Sequence, residues 1–235
     1  MHEFVWVYLV LILGACLQSM IGFGLGLLCA PVIYMIYPEL VPGPMIMNAL
    51  LITSILSVKH RAKIDFHQTG FSIMGGTAGV LVAGVVMLFI DSHQYQLLFG
   101  ISILVAVALS LVGIAPRVSI ISNLIASMLS GFLGTTTSAG GAPMGLLYQT
   151  VQKEKIKANL SIFFTYINLF AIIVLSLAGV IGFSDFVLFL YCIPALLVGW
   201  ILAIYINRRI NEKLIRTLIL TIASLSGLML VIFRG

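Results

Sequence analysis

Eight apolar stretches divide the chain, at residues 4–36, 43–58, 71–90, 95–114, 118–151, 158–182, 186–206 and 214–233, with most of the charges in the short gaps between them. A helix needs about 20 apolar residues to cross the hydrocarbon core, within a range of roughly 17–25. Backbone groups in lipid must be hydrogen-bonded inside their own segment, so the pattern predicts helices. The two-residue alternation that a membrane β-barrel needs is absent. Two stretches, 4–36 and 118–151, are too long for one straight span. The first is interrupted by Gly22-Phe23-Gly24-Leu25-Gly26, the second by Gly134-Thr135-Thr136-Thr137-Ser138-Ala139-Gly140-Gly141. Such runs weaken a helix at that point. Each break is followed by Ala-Pro, at Ala30-Pro31 and Ala142-Pro143.

The shared pattern extends further. Gly22 matches Gly134 at the same offset as the two Ala-Pro pairs. Asn48 matches Asn159, Asp65-Phe66 matches Asp185-Phe186, and Gly79 matches Gly199 at that last spacing. Residues 1–114 and 117–235 therefore read as two copies of one unit within a single membrane domain. Each copy has a broken or re-entrant first helical element and three transmembrane helices.

Charge fixes the relation between the copies. If each broken stretch enters and returns to its starting face, the basic segments 59–63, 117, 153–157 and 208–216 share one side. That side then holds eleven of the 12 Lys and Arg residues, with Arg234 the exception. Glu3, Glu39, Asp91 and Asp185 fall opposite. The positive-inside rule makes the basic side cytoplasmic. One returning element plus three spans is odd in topological effect, so the second copy is inverted relative to the first. Inverted repeats with broken helices recur in transporters that bind their solute near the midplane. The expected fold is thus an all-α integral membrane protein of two inverted repeats.

Composition narrows the function. Apolar residues make up 61% of the chain and charged residues 8%, against about 25% charged in a soluble domain. The net charge of +5 sits in loops between spans, where it orients the protein and does not imply nucleic acid. The Met-His-Glu start lacks a basic region ahead of the first apolar run, so the first segment is expected to stay in the mature protein. Cys16, Cys29 and Cys192 lie inside apolar runs without metal-ligand spacing and read as small apolar residues.

The two breaks are the leading candidates for chemistry. Where a helix starts inside the membrane, its first N–H groups lack partners and its dipole end is positive. Such an end favours an anion, and glycine lets a ligand approach the backbone. Gly22, Gly24 and Gly26 belong to the first break. Gly134, Thr135, Thr136, Thr137, Ser138, Gly140 and Gly141 belong to the second and add hydroxyl donors. The bland alternative is close helix packing by small residues. Asn48 and Asn159, early in the helix after each break, either contact the solute or pin the break. Gln18 and Ser19 precede the first break, as Ser130 precedes the second. Thr53, Ser54, Thr165, Tyr166 and Asn168 are weaker candidates, because Ser and Thr in such helices often bond only to their own backbone.

Absences count as well. No Asp, Glu, Lys, Arg or His lies in the middle of an apolar stretch, which argues against an intramembrane proton relay or a metal cage. No nucleotide-binding GxxxxGK[ST], paired-carboxylate, zinc or nucleophile–base motif is present, so neither an enzyme nor a cofactor is expected. A neutral cavity with helix-end donors suits an anion. Export is its simplest direction, since an inside-negative potential favours efflux by about 2.3 kcal/mol per charge per 100 mV. A passive anion channel and uptake with a coupling cation are the alternatives.

The stretch IGFGLGLLCAPV at 21–32 followed by Asn48, and SGFLGTTTSAGGAPM at 130–144 followed by Asn159, resemble the TauE/SafE family of sulfite exporters, also called the toluene sulfonate uptake permease family. The resemblance covers nearly the whole chain. It implies a bacterial-type inner-membrane carrier for sulfite, sulfoacetate or related organosulfonates. One departure is that the first break has no hydroxyl between Gly22 and Gly26 where the second has four in a row. If both breaks touch the solute, the second is expected to supply most side-chain contacts. The expected partners are the small anion and the lipid bilayer, and a homo-oligomer is compatible with the sequence.

Overall fold

The computed structural model describes residues 2–112, 117–148, 153–206 and 212–232. It is all helical: α1 (His2–Ile21), α2 (Leu25–Ile36), α3 (Gly43–His60), α4 (Phe66–Phe89), α5 (Ser92–Val112), α6 (Ile120–Thr137), α7 (Gly141–Tyr148), α8 (Lys153–Leu177), α9 (Phe183–Ile206) and α10 (Glu212–Ile232), with single tight turns at Pro38–Leu40 and Arg61–Lys63. Six of these helices, α1, α4, α5, α6, α8 and α9, are long and apolar enough to cross a membrane. The protein is therefore a multi-pass membrane protein.

Both overlong stretches are divided where glycine and hydroxyl residues cluster. The first separates into α1 and α2 at Gly22-Phe23-Gly24, with Gly22 at φ 99° and Gly24 at φ 121°. The second separates into α6 and α7 at Ser138-Ala139-Gly140, with Ser138 left-handed at φ 61°. Helix starts differ from the apolar pattern where polar residues cap or extend a helix. Helix α4 begins at Phe66 because the Asp65 carboxylate accepts the Gln68 N–H at 3.1 Å. The segment 153–157, expected as a loop, is the first turn of α8, and Lys59 lies in the last turn of α3. The basic residues thus extend apolar helices at their ends, where long cationic stems reach for water. Positions 113–116 and 207–211, which include Arg208 and Arg209, lie outside the described residues.

Helix directions follow from the contacts. Gly75 lies against Leu124 and Gly79 against Met128 and Phe132, so α4 and α6 run parallel. Tyr8 donates to the Tyr191 carbonyl at 2.5 Å and Gly199 lies against Ile12 and Cys16, so α1 and α9 also run parallel. Gly43 abuts Asp185, pairing the starts of α3 and α9, whereas Gly84 meets Val174 as Gly76 meets Phe163 and Ile167, so α4 and α8 run together. Gln96 donates to the Leu230 carbonyl at 3.3 Å and Gly100 packs near Gly227, which sets α5 against α10 antiparallel. A Cβ at Gly79 would strike the α6 backbone, and one at Gly199 the α1 backbone. The glycines matched in the sequence therefore both allow two helix backbones to touch.

Candidate anion site between two helix breaks

Each break is held by a side chain from the helix that precedes it. In the first, Gln18 Oε1 accepts the Leu25 N–H at 3.1 Å and Gln18 Nε2 donates to the Gly22 carbonyl at 3.4 Å. The amide side chain thus bonds one exposed end of α1 and one of α2, and the first amide of α2 is occupied. In the second, the Ser130 hydroxyl donates to the Gly140 carbonyl, folding the break back onto α6. Gln18 and Ser130 stand at the offset that relates the two Ala-Pro pairs.

The breaks meet. Gly26 lies so close to the Ser138 carbonyl and the Ala139 amide that no Cβ fits there. Phe23 lies over the face of α7 that carries Gly141 and Gly145. A Cβ at Gly141 would stand 2.8 Å from the Phe23 Cβ, and one at Gly145 would stand 2.5 Å from the tip of its ring. Between the breaks lies a small cleft that is open on one side. Its polar wall carries Gly24, Gly26, Gly134, Ser138, Gly140 and Gly141, together with Gln18 and Asn168. Its apolar wall carries Phe23, Leu27, Ala49, Phe164 and Ile167. Ala49 lies near the middle of α3, and Phe164, Ile167 and Asn168 lie near the middle of α8, which puts the cleft at mid-length of these helices.

Six of the twelve residues singled out in the sequence therefore line the cleft, and six lie elsewhere. Gly22 packs on the Lys157 backbone. Thr135, Thr136 and Thr137 are completely buried. The Thr136 hydroxyl donates to the Phe132 carbonyl at 2.9 Å, and that of Thr137 to the Leu133 carbonyl at 2.6 Å while accepting the Ala139 N–H at 3.2 Å. Of the four consecutive hydroxyls only Ser138 lines the cleft; those of Thr136 and Thr137 hold their own helix end, and that of Thr135 is buried without a partner among the described residues. Asn159 Oδ1 accepts the Asp65 N–H at 2.8 Å, far along the chain, at the entry to α4. Asn48 is fully buried, with its amide near the Met45 sulfur at 3.9 Å. Sequence reasoning missed Phe23, Phe164, Ile167, Leu27 and Ala49, because single apolar residues in an apolar chain carry no signal of which ones border a hollow.

The basic residues collect at one end. Lys63 pairs with Glu154, and Lys59, Lys63 and Lys157 surround His60. Burial and these three ammonium groups push the His60 imidazole below its usual range, with Glu154 opposing them. Among the described residues no three His, Cys, Asp or Glu side chains gather as metal ligands.

The chain is a multi-pass bundle of apolar helices with a cleft between two interrupted ones. The model of the family described as "Sulfite exporter TauE/SafE" matches residues 7–230, nearly the whole chain, and the protein belongs to that family. No curated protein and no solved structure matches this chain.

Proposed function

We propose that the protein carries a small sulfur-containing anion, such as sulfite, sulfoacetate or a related organosulfonate, out of the cell through the cleft between its two helix breaks. The observation that carries this reading is the contact of Gly26 with Ser138 and Ala139, which brings both breaks to one hollow. Among the described residues the Gly26 and Leu27 amides of α2 have no hydrogen-bond partner. Backbone amides at a helix start offer partial positive charge without a formal cation. Gly24, Gly26, Gly134, Ser138, Gly140 and Gly141 form the lining, whereas Gly22 and Thr135–Thr137 shape the breaks. The family's description supports a sulfur oxyanion as cargo.

The chain is read as inverted repeats, 1–114 and 117–235, in the inner (plasma) membrane. The opposed helix directions support this: α1 and α3 run with α9, whereas their counterparts α6 and α8 run with α4. The basic end faces the cytoplasm by the positive-inside rule. The membrane potential then drives the anion outward, by about 2.3 kcal/mol per charge per 100 mV.

Purified protein in proteoliposomes tests the reading. Saturable exchange of labelled sulfite or sulfoacetate across the bilayer is the expected result. Unsaturable current that scales with voltage would point to a channel. Flux that requires an added cation gradient would point to coupled uptake. No flux of any sulfur anion would sink the proposal.

A further inference from the structure

Gln18, Ser138 and Asn168 are the side chains with hydrogen-bonding groups in the cleft wall, and they differ in one respect. Gln18 is committed at both ends of its amide to the first break. Ser138 directs its hydroxyl to the Pro42 carbonyl at 3.5 Å. Asn168 makes no hydrogen bond to any described residue, although only 7% of it is exposed. Burying an amide without a partner is unfavourable. Asn168 lines the cleft one helical turn beyond Phe164, so its unbonded amide is free to meet a ligand there.

Resting on the reading of the cleft as the solute site, we propose that Asn168 is the side chain that hydrogen-bonds the anion. Its Nδ2 carries two N–H donors and no formal charge. It can therefore hold an oxyanion against the α2 amides without the desolvation cost of a buried lysine or arginine. A neutral donor also releases its ligand readily, which a carrier requires. The chain's other intramembrane asparagine on this helix, Asn159, is spent on the Asp65 N–H and cannot take this part.

Asn168→Asp is nearly isosteric and sets a carboxylate opposite the anion. Asn168→Ala removes the donor, and Asn168→Ser keeps a shorter one. Sulfite and sulfoacetate are titrated against each purified protein, with thermal stabilisation as the readout. The expected result is half-saturation weakened about tenfold or more in Asn168→Ala, less in Asn168→Ser, and no response in Asn168→Asp. Melting temperatures without ligand should be close to wild type in Asn168→Ser and Asn168→Ala. Wild-type half-saturation in Asn168→Ala and Asn168→Asp would overturn the assignment of Asn168. If Gly26→Val loses the response in that case, the cleft as the site survives. A wild-type protein that responds to neither anion would instead remove the site itself, and this proposal with it.

Discussion

The two helix breaks solve one problem with different chemistry. The first relies on glycine conformations, at φ 99° and 121°, and on one amide side chain, Gln18, that bonds both exposed helix ends. The second has no glycine at its turning residue, Ser138, and uses hydroxyls: Ser130 on the Gly140 carbonyl, Thr137 between Leu133 and Ala139, Thr136 on Phe132. A break made of glycines leaves bare backbone that a ligand can reach. A break made of hydroxyls bonds itself and leaves one side chain, Ser138, at the cleft. A run of polar residues within a membrane is thus weak evidence of ligand contact, since the backbone is the nearest acceptor.

The contrast ranks the substitutions. Gly26→Val should be most severe, because its side chain would collide with the Ser138 carbonyl where the breaks touch. Overpacking of that kind typically costs about 1–3 kcal/mol, and proteoliposome flux should fall to background while the protein still inserts. Flux at half the wild-type rate or better would dissolve the link between the breaks. Gly24→Leu follows. There is open space beside Gly24, but φ 121° is strained for any side chain, so flux should fall steeply with a smaller loss of thermal stability. Gln18→Leu should destabilise by roughly 1–3 kcal/mol, the cost of a buried amide left without its acceptor. Its counterpart Ser130→Ala should cost less, since it strips only a carbonyl. Equal shifts in melting temperature would show that the staples are interchangeable. Thr136→Val should retain most transport at a cost of about 1 kcal/mol, because its hydroxyl is bonded inside α6 and away from the cleft.

The smallest effect is expected at the basic end, beside the first break. His60 is held below its ordinary pKa by burial and by Lys157, Lys59 and Lys63, against the opposing Glu154. The unfolded chain therefore takes up the proton first as pH falls below about 6.5. Stability is complete above that value and declines on the acid side. His60→Gln should flatten the decline, as melting at pH 7.5 and 5.5 would reveal. An unchanged slope would place the acid sensitivity elsewhere.

Much of the fold was legible because it obeys one-dimensional rules. Apolar length sets the spans, and Gly22–Gly26 and Gly134–Gly141 mark the two places where helices part. Gly79 and Gly199 stood out as a matched pair, though not as backbone contacts, and Gly75 and Gly131, which also meet backbone, did not stand out. What stayed hidden depends on partners distant in sequence. Nothing near Asn159 announces that its carbonyl oxygen takes the amide of Asp65, 94 residues away. Nothing near Phe23 announces that it lies over Gly141 and Gly145. Asn168 looked like one weak polar residue among several; its place in the cleft wall together with an unbonded amide sets it apart.

The parallel pairing of α1 with α9 bears on how the chain is made. Tyr8 waits for Tyr191, 183 residues later. At about 5–20 residues per second of synthesis, the opening helix spends roughly 10–40 s in the bilayer before its neighbour exists. During that interval lipid or an insertion factor must shelter a surface destined for protein. Severing the chain between its halves would therefore leave each fragment holding the other's missing neighbour, so that they should be recoverable only when co-expressed.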